Sequence, residues 1–247
     1  EHHFATSLDP DELPDSDVVV FTTMLLAVAL APGTEAVGRR LVESLHDGQR
    51  SWCPLLFLQG SGVFPPAVED LALRLPGPKV CVGSWLVECL LQRGVPAAEV
   101  VHIPNGVDPH RFQITRPIVD RTARVATNFD PHPVKGGEVG IAAFEELHRR
   151  LGVPATVFGT RSPVRSLGPG VTFVLSPSQA TIAQGIYNES SVFLQPSQQE
   201  GFGMCAVEAM ACGCALVTTT NGGSADYAVD GETALLCGGE AEEMVEV

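Results

Sequence analysis

The chain has 247 residues, of which 45% are hydrophobic, and its formal net charge is −14. That apolar content supports one large or two small folded domains and excludes a disordered chain. The negative charge excludes a general binder of nucleic-acid phosphates. Any bound phosphate must therefore be held locally, by backbone amides, helix ends and a few cations, and only two of these cations are lysines, Lys79 and Lys135.

The first half of the chain alternates between apolar runs and helical patterns. The predicted buried strands are residues 17–22, 54–60, 79–84 and 100–106. The predicted helices are residues 34–48 and 84–94. This alternation is typical of an α/β domain with a parallel sheet.

Residues 104–123 are rich in Pro, Gly and Arg and predict a connection between domains. We expect an N-terminal domain at 1–115 and a C-terminal domain at 116–247. The first half is short and the chain begins without Met, so we expect a piece of a longer protein whose N-terminal domain is incomplete.

The second half repeats the strand–helix alternation of a doubly wound sheet. Its predicted strands are residues 124–129, 155–160, 171–176, 191–197, 214–220 and 233–237. Its predicted helices are residues 139–152, 178–190 and 203–213, with a turn and short helix at 222–231.

The segment "PSQQEGFGMCAVE" (196–208) joins a predicted strand to a predicted helix. Strand, glycine loop and helix N-terminus together form a common anion site, because free N–H groups and the helix dipole face one point. Glu208 lies among apolar helix residues, where an unpaired carboxylate costs several kcal/mol unless a partner such as a ribose diol meets it. Alternatively, Glu200 caps the helix and Glu208 lies on a solvated face.

The stretch "PSQQEGFGMCAVEAMACGCALVTTTNGGSADYAVDGETALL" (196–236) resembles the nucleotide-sugar signature of the retaining family 4 glycosyltransferases. "HIPNGVDPHRF" (102–112) is similar to that family's hinge segment, and "VKGG" (134–137) is similar to its Lys-Gly element. Within the family, the segments "NFDPHPVKG" (128–136) and "IYNESSVFLQPS" (186–197) most resemble bacterial rhamnosyltransferase-like members. The resemblance implies a GT-B fold, in which two Rossmann-like domains face a cleft.

Site roles follow from this resemblance. Lys135 would contact the donor diphosphate, Glu208 the ribose hydroxyls, and Glu200 the sugar near the reacting carbon. Lys135 and Glu200 are the predicted catalytic residues. The loop that would hold phosphate or sugar through its backbone comprises Gly201, Phe202, Gly203 and Met204.

The base of the donor would lie against Leu175 and Ser176, with Tyr187 supporting that wall. The family's second phosphate-binding residue, an Arg, is missing, and Arg161 is a candidate substitute. The family's N-terminal His is also missing, and the sequence offers Thr22 and Thr23 there. His132, a near neighbour of Lys135, is a further candidate for phosphate binding.

The predicted function is transfer of a hexosyl group from a nucleoside diphosphate sugar to an acceptor, with retention and without a metal or other cofactor. Two alternatives stay open: an epimerase or phosphorylase of the same architecture, and a non-catalytic nucleotide-sugar-binding fragment. The expected partners are the donor and a glycan, lipid-linked or small-molecule acceptor, with no nucleic acid. This chemistry is typical of cell-surface polysaccharide or glycoconjugate biosynthesis.

Seven scattered cysteines without a Cys-x-x-Cys pair favour a reducing cytoplasm, and peripheral membrane contact is compatible with this location. The acidic triplets at 9–11 and 15–17 and the pair Cys212 and Cys214 have spacings that do not favour a metal site. We therefore predict no metal ligand.

Overall fold

The computed structural model describes residues 18–22, 53–62 and 66–246. The chain divides into two compact units between Pro104 and Asn105. The predicted helix at 34–48, Thr23 and the acidic triplets lie outside the described residues.

The first unit contains a parallel sheet in the order β1-β2-β3-β4. Its strands are β1 Val18–Thr22, β2 Cys53–Leu58, β3 Lys79–Cys81 and β4 Val100–His102. Its described helices are α1 Pro66–Leu73 and α2 Ser84–Gln92. Lys79 is buried and donates to the carbonyl oxygens of Leu75 (2.6 Å) and Gly77 (2.9 Å), so one of the two lysines is structural.

The second unit contains a six-stranded parallel sheet in the order β7-β6-β5-β8-β9-β10. The strands are β5 Val125–Asn128, β6 Ala155–Gly159, β7 Val171–Leu175, β8 Val192–Gln195, β9 Ala215–Thr219 and β10 Ala234–Cys237. Relative to its first strand, this is the Rossmann order 3-2-1-4-5-6. The predicted doubly wound sheet is present.

Helices cover both faces of this sheet. They are α3 Gly137–Leu151, a π-helical segment Thr181–Tyr187, α4 Met204–Ala211 and α5 Ala241–Glu246. Side chains alternate between the faces along each strand. In β8, Phe193 packs in the cluster with Tyr187 and α4, and Leu194 packs in the cluster with Phe144 of α3.

The division between the units lies before residues 105–115, which we had assigned to the N-terminal domain. Phe112 is buried in the core of the second unit, where its ring lies 6.2 Å from that of Tyr187. The backbone N–H groups of Thr115 and Arg116 both donate to Asn188 Oδ1, at 2.8 and 3.2 Å. These contacts attach the hinge-like segment to the second unit.

Several elements differ from the predicted ones. Helix α1 was not predicted, and the strand expected at 79–84 ends at Cys81. The strand expected at 100–106 ends at His102, two residues before Pro104. The helix expected at 178–190 is the π-helical segment, in which the Asn188 N–H donates to the Ala183 oxygen five residues back (3.1 Å). Helix α5 was not predicted, because six residues are too few for a periodic pattern.

Candidate functional site

The strand order of the second unit reverses between β5 and β8. In such sheets, ligands bind beyond the carboxyl ends of the strands at this switch point, because the two following loops diverge there. The loops are residues 129–136, which lead into α3, and residues 196–203, which lead into α4. A backbone bond from Gln198 N–H to the Val134 oxygen (2.8 Å) joins them.

The loop after β5 presents Lys135 on a short 3₁₀ turn, Pro133–Lys135. The next residue, Gly136, has φ 64°, which glycine adopts without steric cost. A Cβ at this position would lie 2.8 Å from the Pro196 carbonyl carbon, so glycine also permits close approach of the two loops. Helix α3 starts directly after it, and no described side chain caps its N-terminus.

The neighbouring His132 has a different local partner. Its Nδ1 accepts the Val134 N–H (3.4 Å), which makes His132 a cap of the turn. Its proposed contact with phosphate stays a prediction.

The loop after β8 holds Glu200 through both of its carboxylate oxygens. Oε2 accepts from Lys135 Nζ at 2.8 Å. Oε1 accepts from Ser197 Oγ (2.7 Å) and Gln195 Nε2 (3.0 Å). Two residues separated by 65 positions are thus brought together at the switch point, and Glu200 is only 13% exposed there.

The backbone of Glu200 is also fixed. Its N–H donates to the Asn221 oxygen (2.8 Å), and its carbonyl oxygen accepts from Gly223 N–H (3.1 Å). The loop after β9 therefore supports the loop after β8 from the side.

Residues 201–204 turn the chain into α4 at Gly203, where φ is 96°. A Cβ at Gly203 would overlap the Tyr227 hydroxyl oxygen. Phe202 is buried, with its ring centroid 5.6 Å from that of Tyr227, so its side chain serves packing. Among the described side chains none caps the N-terminus of α4. The polar groups that this turn presents are therefore the backbone N–H groups around Met204, which have no acceptor within the helix.

Glu208 lies one turn further along α4 and is partly buried. Burial raises the pKa of its carboxyl group, and the Tyr187 hydroxyl and the Arg111 guanidinium partly offset this shift. The Tyr187 side chain is fully buried in the core that packs against α4. Glu208 is thus not the freely solvated surface residue of the alternative interpretation.

Leu175 and Ser176 lie apart from this group, at the carboxyl end of the edge strand β7. Two strand spacings separate β7 from β5, or about 10 Å. Leu175 is 58% exposed. Ser176 has φ 47°, the one non-glycine residue with positive φ in the described ranges, and its N–H donates to the Gly159 oxygen (2.7 Å).

Sequence reasoning missed the partners of Glu200. Gln195 and Ser197 are two residues apart on extended chain, so both side chains point to the same side. A polar residue that ends the apolar run "SVFL" was the available signal for Gln195. Asn221 and Tyr227 follow β9, and only the fold brings them to this loop.

The remaining candidates are dispersed. Arg161 is exposed after β6, and no ion pair to another described residue holds it. Thr22 ends β1 in the first unit and is partly buried. Within 18–22, 53–62 and 66–246 no group of three His, Cys, Asp or Glu side chains is arranged to hold a metal ion. None of the helices that the structure describes is long and apolar enough to cross a bilayer.

Comparison with known proteins gives a family and a fold. A family model described as "Glycosyl transferases group 1" matches residues 122–247. The chain is 30% identical over 183 residues to a D-inositol 3-phosphate glycosyltransferase of Rhodococcus erythropolis, covering 59% of this chain and 41% of that protein. It is 26% identical over 260 residues to a GDP-mannose-dependent alpha-(1-6)-phosphatidylinositol monomannoside mannosyltransferase of Mycolicibacterium smegmatis, covering 91% and 64%.

A solved structure shows the same fold. Anabaena Alr3699/HepE in complex with UDP-glucose superposes with a TM-score of 0.69 at 19% identity, covering 93% of this chain and 67% of that one. The chain thus spans about two fifths to two thirds of the length of the curated relatives described above. The predicted GT-B fold class is confirmed. With half of its residues matched by the family model and its switch-point site in place, the chain belongs to the group 1 glycosyl transferases.

Proposed function

We propose that this chain binds a nucleoside diphosphate sugar at the switch point of its second unit and transfers the sugar to an acceptor hydroxyl with retention. The observation that carries the proposal is the meeting of Lys135 and Glu200 beside the uncapped N-termini of α3 and α4. A cation and two helix N-termini at one point favour a diphosphate.

The donor would be held in segments along the sheet edge. The diphosphate would meet Lys135 and the backbone N–H groups of residues 201–204. Glu208, whose carboxylate is partly buried, would accept hydrogen bonds from the ribose hydroxyls, and these bonds would satisfy a charge that burial disfavours. Leu175 and Ser176, two strands from β5, would border the base.

Catalysis would be electrostatic. As the glycosidic bond to the diphosphate breaks, negative charge grows on the leaving phosphate oxygens and positive charge grows on the sugar. Lys135 and the preorganised helix N-termini would stabilise the phosphate charge, and Glu200 would lie on the sugar side. These groups supply the positive charge without a metal, so we expect chelation by EDTA to leave turnover unchanged.

For the acceptor and the cellular location we propose only a class of molecule and a compartment. Both curated relatives are named for inositol-containing acceptors, so a polyol or a lipid-linked glycan is the acceptor class to test first. A cytoplasmic location, where nucleotide sugars are made, is supported by the free thiols of all six cysteines for which the structure gives a bonding state.

Calorimetric titration with UDP-glucose and GDP-mannose, followed by assay of nucleoside diphosphate release with inositol phosphate acceptors, tests this function. Lys135→Met should lower the turnover rate by about 10²–10³, as loss of one charge-stabilising donor does. Arg149→Met, which removes an exposed cation at the far end of α3, is the matched control and should leave turnover unchanged.

Three results would contradict the proposal in different ways. Full turnover by Lys135→Met removes the diphosphate role of this residue. Conversion of the donor to an epimerised sugar nucleotide without acceptor indicates an epimerase. Tight donor binding with no turnover on any acceptor indicates a binding fragment.

A further inference from the structure

Two buried polar side chains have no role in the function proposed so far. Gln195 ends β8 and is 6% exposed, and Ser197 follows two residues later and is 1% exposed. Both donate to the same carboxylate oxygen, Glu200 Oε1. They form a donor pair on the side of Glu200 opposite to Lys135.

The donor pair is locked into one arrangement. Gln195 Nε2 donates to Ser197 Oγ (2.8 Å) as well as to Glu200, so both N–H groups of its amide are used. Its Oε1 is buried and meets no donor among the described residues. The reversed amide would set an oxygen against the carboxylate, and this repulsion fixes the observed orientation.

Ser197 is similarly committed to Glu200. Its hydroxyl has one proton, and the Glu200 oxygen at 2.7 Å is closer than the Lys135 carbonyl oxygen at 3.3 Å. The single proton therefore goes to the carboxylate.

Lys135 is held much less tightly than Glu200. Its side chain is 35% exposed, and Glu200 is the one acceptor that its ammonium group meets within the described chain. An incoming anion can replace Glu200 as the partner of Lys135 because the lysine stem is flexible and its head is open to solvent. The carboxylate would then lose its cation in a site that is largely closed to water.

We propose that Gln195 and Ser197 are positioning residues, which keep the Glu200 carboxylate in place when the phosphate of a donor takes Lys135 from it. This inference rests on the proposed donor site. With two neutral donors on Oε1, Glu200 stays fixed and its Oε2 becomes free to accept from a sugar hydroxyl. Binding of the diphosphate to Lys135 therefore also frees Glu200 Oε2 to accept a hydrogen bond from the sugar of the donor.

The test compares two ligand classes on one variant. Gln195→Leu keeps the side-chain bulk but removes both donors. Dissociation constants are measured by calorimetry for UDP and UDP-glucose and for GDP and GDP-mannose. We expect affinity for the sugar nucleotide that the unmodified chain prefers to fall about tenfold or more, the effect of one lost charge-assisted bond. Affinity for the corresponding nucleoside diphosphate should stay within about twofold, since Lys135 and the helix N-termini are intact.

Gln198→Leu is the matched control, because Gln198 is exposed in the same loop and the substitution is chemically identical. Ser197→Ala provides an independent variant with the same expected pattern if Gln195→Leu fails to fold, as judged by its thermal unfolding midpoint.

The outcomes separate the two proposals. If Gln195→Leu loses affinity equally for the nucleoside diphosphate and the sugar nucleotide, or loses affinity for neither, the positioning role is overturned while the donor site stays intact. Failure of the unmodified chain to bind any of the four nucleotides overturns the donor site and, with it, the role of Gln195 and Ser197.

Discussion

Substituting Gly136 by alanine probes how closely the two site loops must approach. Gly136 precedes α3 with φ 64°, and Gly152 follows the same helix with φ 69°. Their backbone conformations are nearly equal, but their surroundings differ. A Cβ at Gly136 would lie 2.8 Å from the Pro196 carbonyl carbon and closer still to its oxygen, whereas a Cβ at Gly152 would meet nothing within 4 Å.

The pair therefore separates two energetic costs. In either variant the alanine must adopt the left-handed backbone conformation, which lowers the free energy of unfolding by about 1–2 kcal/mol. Gly136→Ala must also move the Pro196 carbonyl by about 1 Å to restore ordinary contact. Backbone repacking of this kind costs about 1–3 kcal/mol, so we expect about 2–5 kcal/mol in total for Gly136→Ala against about 1–2 for Gly152→Ala.

Urea unfolding monitored by circular dichroism gives both free energies, and donor titration gives the functional consequence. The displaced Pro196 lies between Gln195 and Ser197, so Gly136→Ala should also weaken nucleotide binding, while Gly152→Ala should not. Equal destabilisation by the two substitutions, with equal nucleotide affinity, would refute the close approach of the loops.

Two further predictions concern partly buried ionisable groups. Because burial raises the pKa of Glu208 in the folded chain, the carboxyl destabilises the fold above that pKa, and the penalty disappears as pH falls below the unfolded value of about 4.3. Glu208→Gln should thus raise the thermal unfolding midpoint at pH 8 but not at pH 3.5, and it should weaken sugar-nucleotide binding. Glu232→Gln, at an exposed position, is the control. An unchanged midpoint of Glu208→Gln at pH 8 would contradict the burial of the Glu208 carboxyl group. Burial and the nearby Glu208 raise the pKa of the Cys205 thiol, which is partly exposed, to about 12, so iodoacetamide at pH 8 should label Cys205 much more slowly in the folded chain than in the unfolded chain, as read by mass spectrometry. Equal labelling rates in the two states would contradict the raised pKa.

Much of the site could be predicted because its chemistry is local in sequence. The apolar run at 191–195, the turn residues after it and the glycines at 201 and 203 predict a strand, a loop and a helix N-terminus without any tertiary information. Because the chain has only two lysines, Lys135 was also a candidate for phosphate binding. Lys79, the other lysine, could not be assigned from sequence, because its carbonyl partners are supplied by a turn.

The boundary at residue 104 illustrates what periodicity misses. Pro and Gly in 104–115 indicate a connection, but they do not say which domain the connection packs on. That is decided by Phe112 beside Tyr187 and by the Asn188 side chain, which accepts two N–H groups from the segment.

The sequence alone determined the α/β alternation, the acidic character that argues against a general binder of nucleic-acid phosphates, and the residue types of an anion site with two nearby carboxylates. Only the tertiary structure decided that Lys135 meets Glu200, and that Gln195 and Ser197 hold the same carboxylate from the other side. The reason is strand order. Placing β8 beside β5 brings together loops that are 65 residues apart, and no local pattern of hydrophobic or turn residues encodes which strands become neighbours.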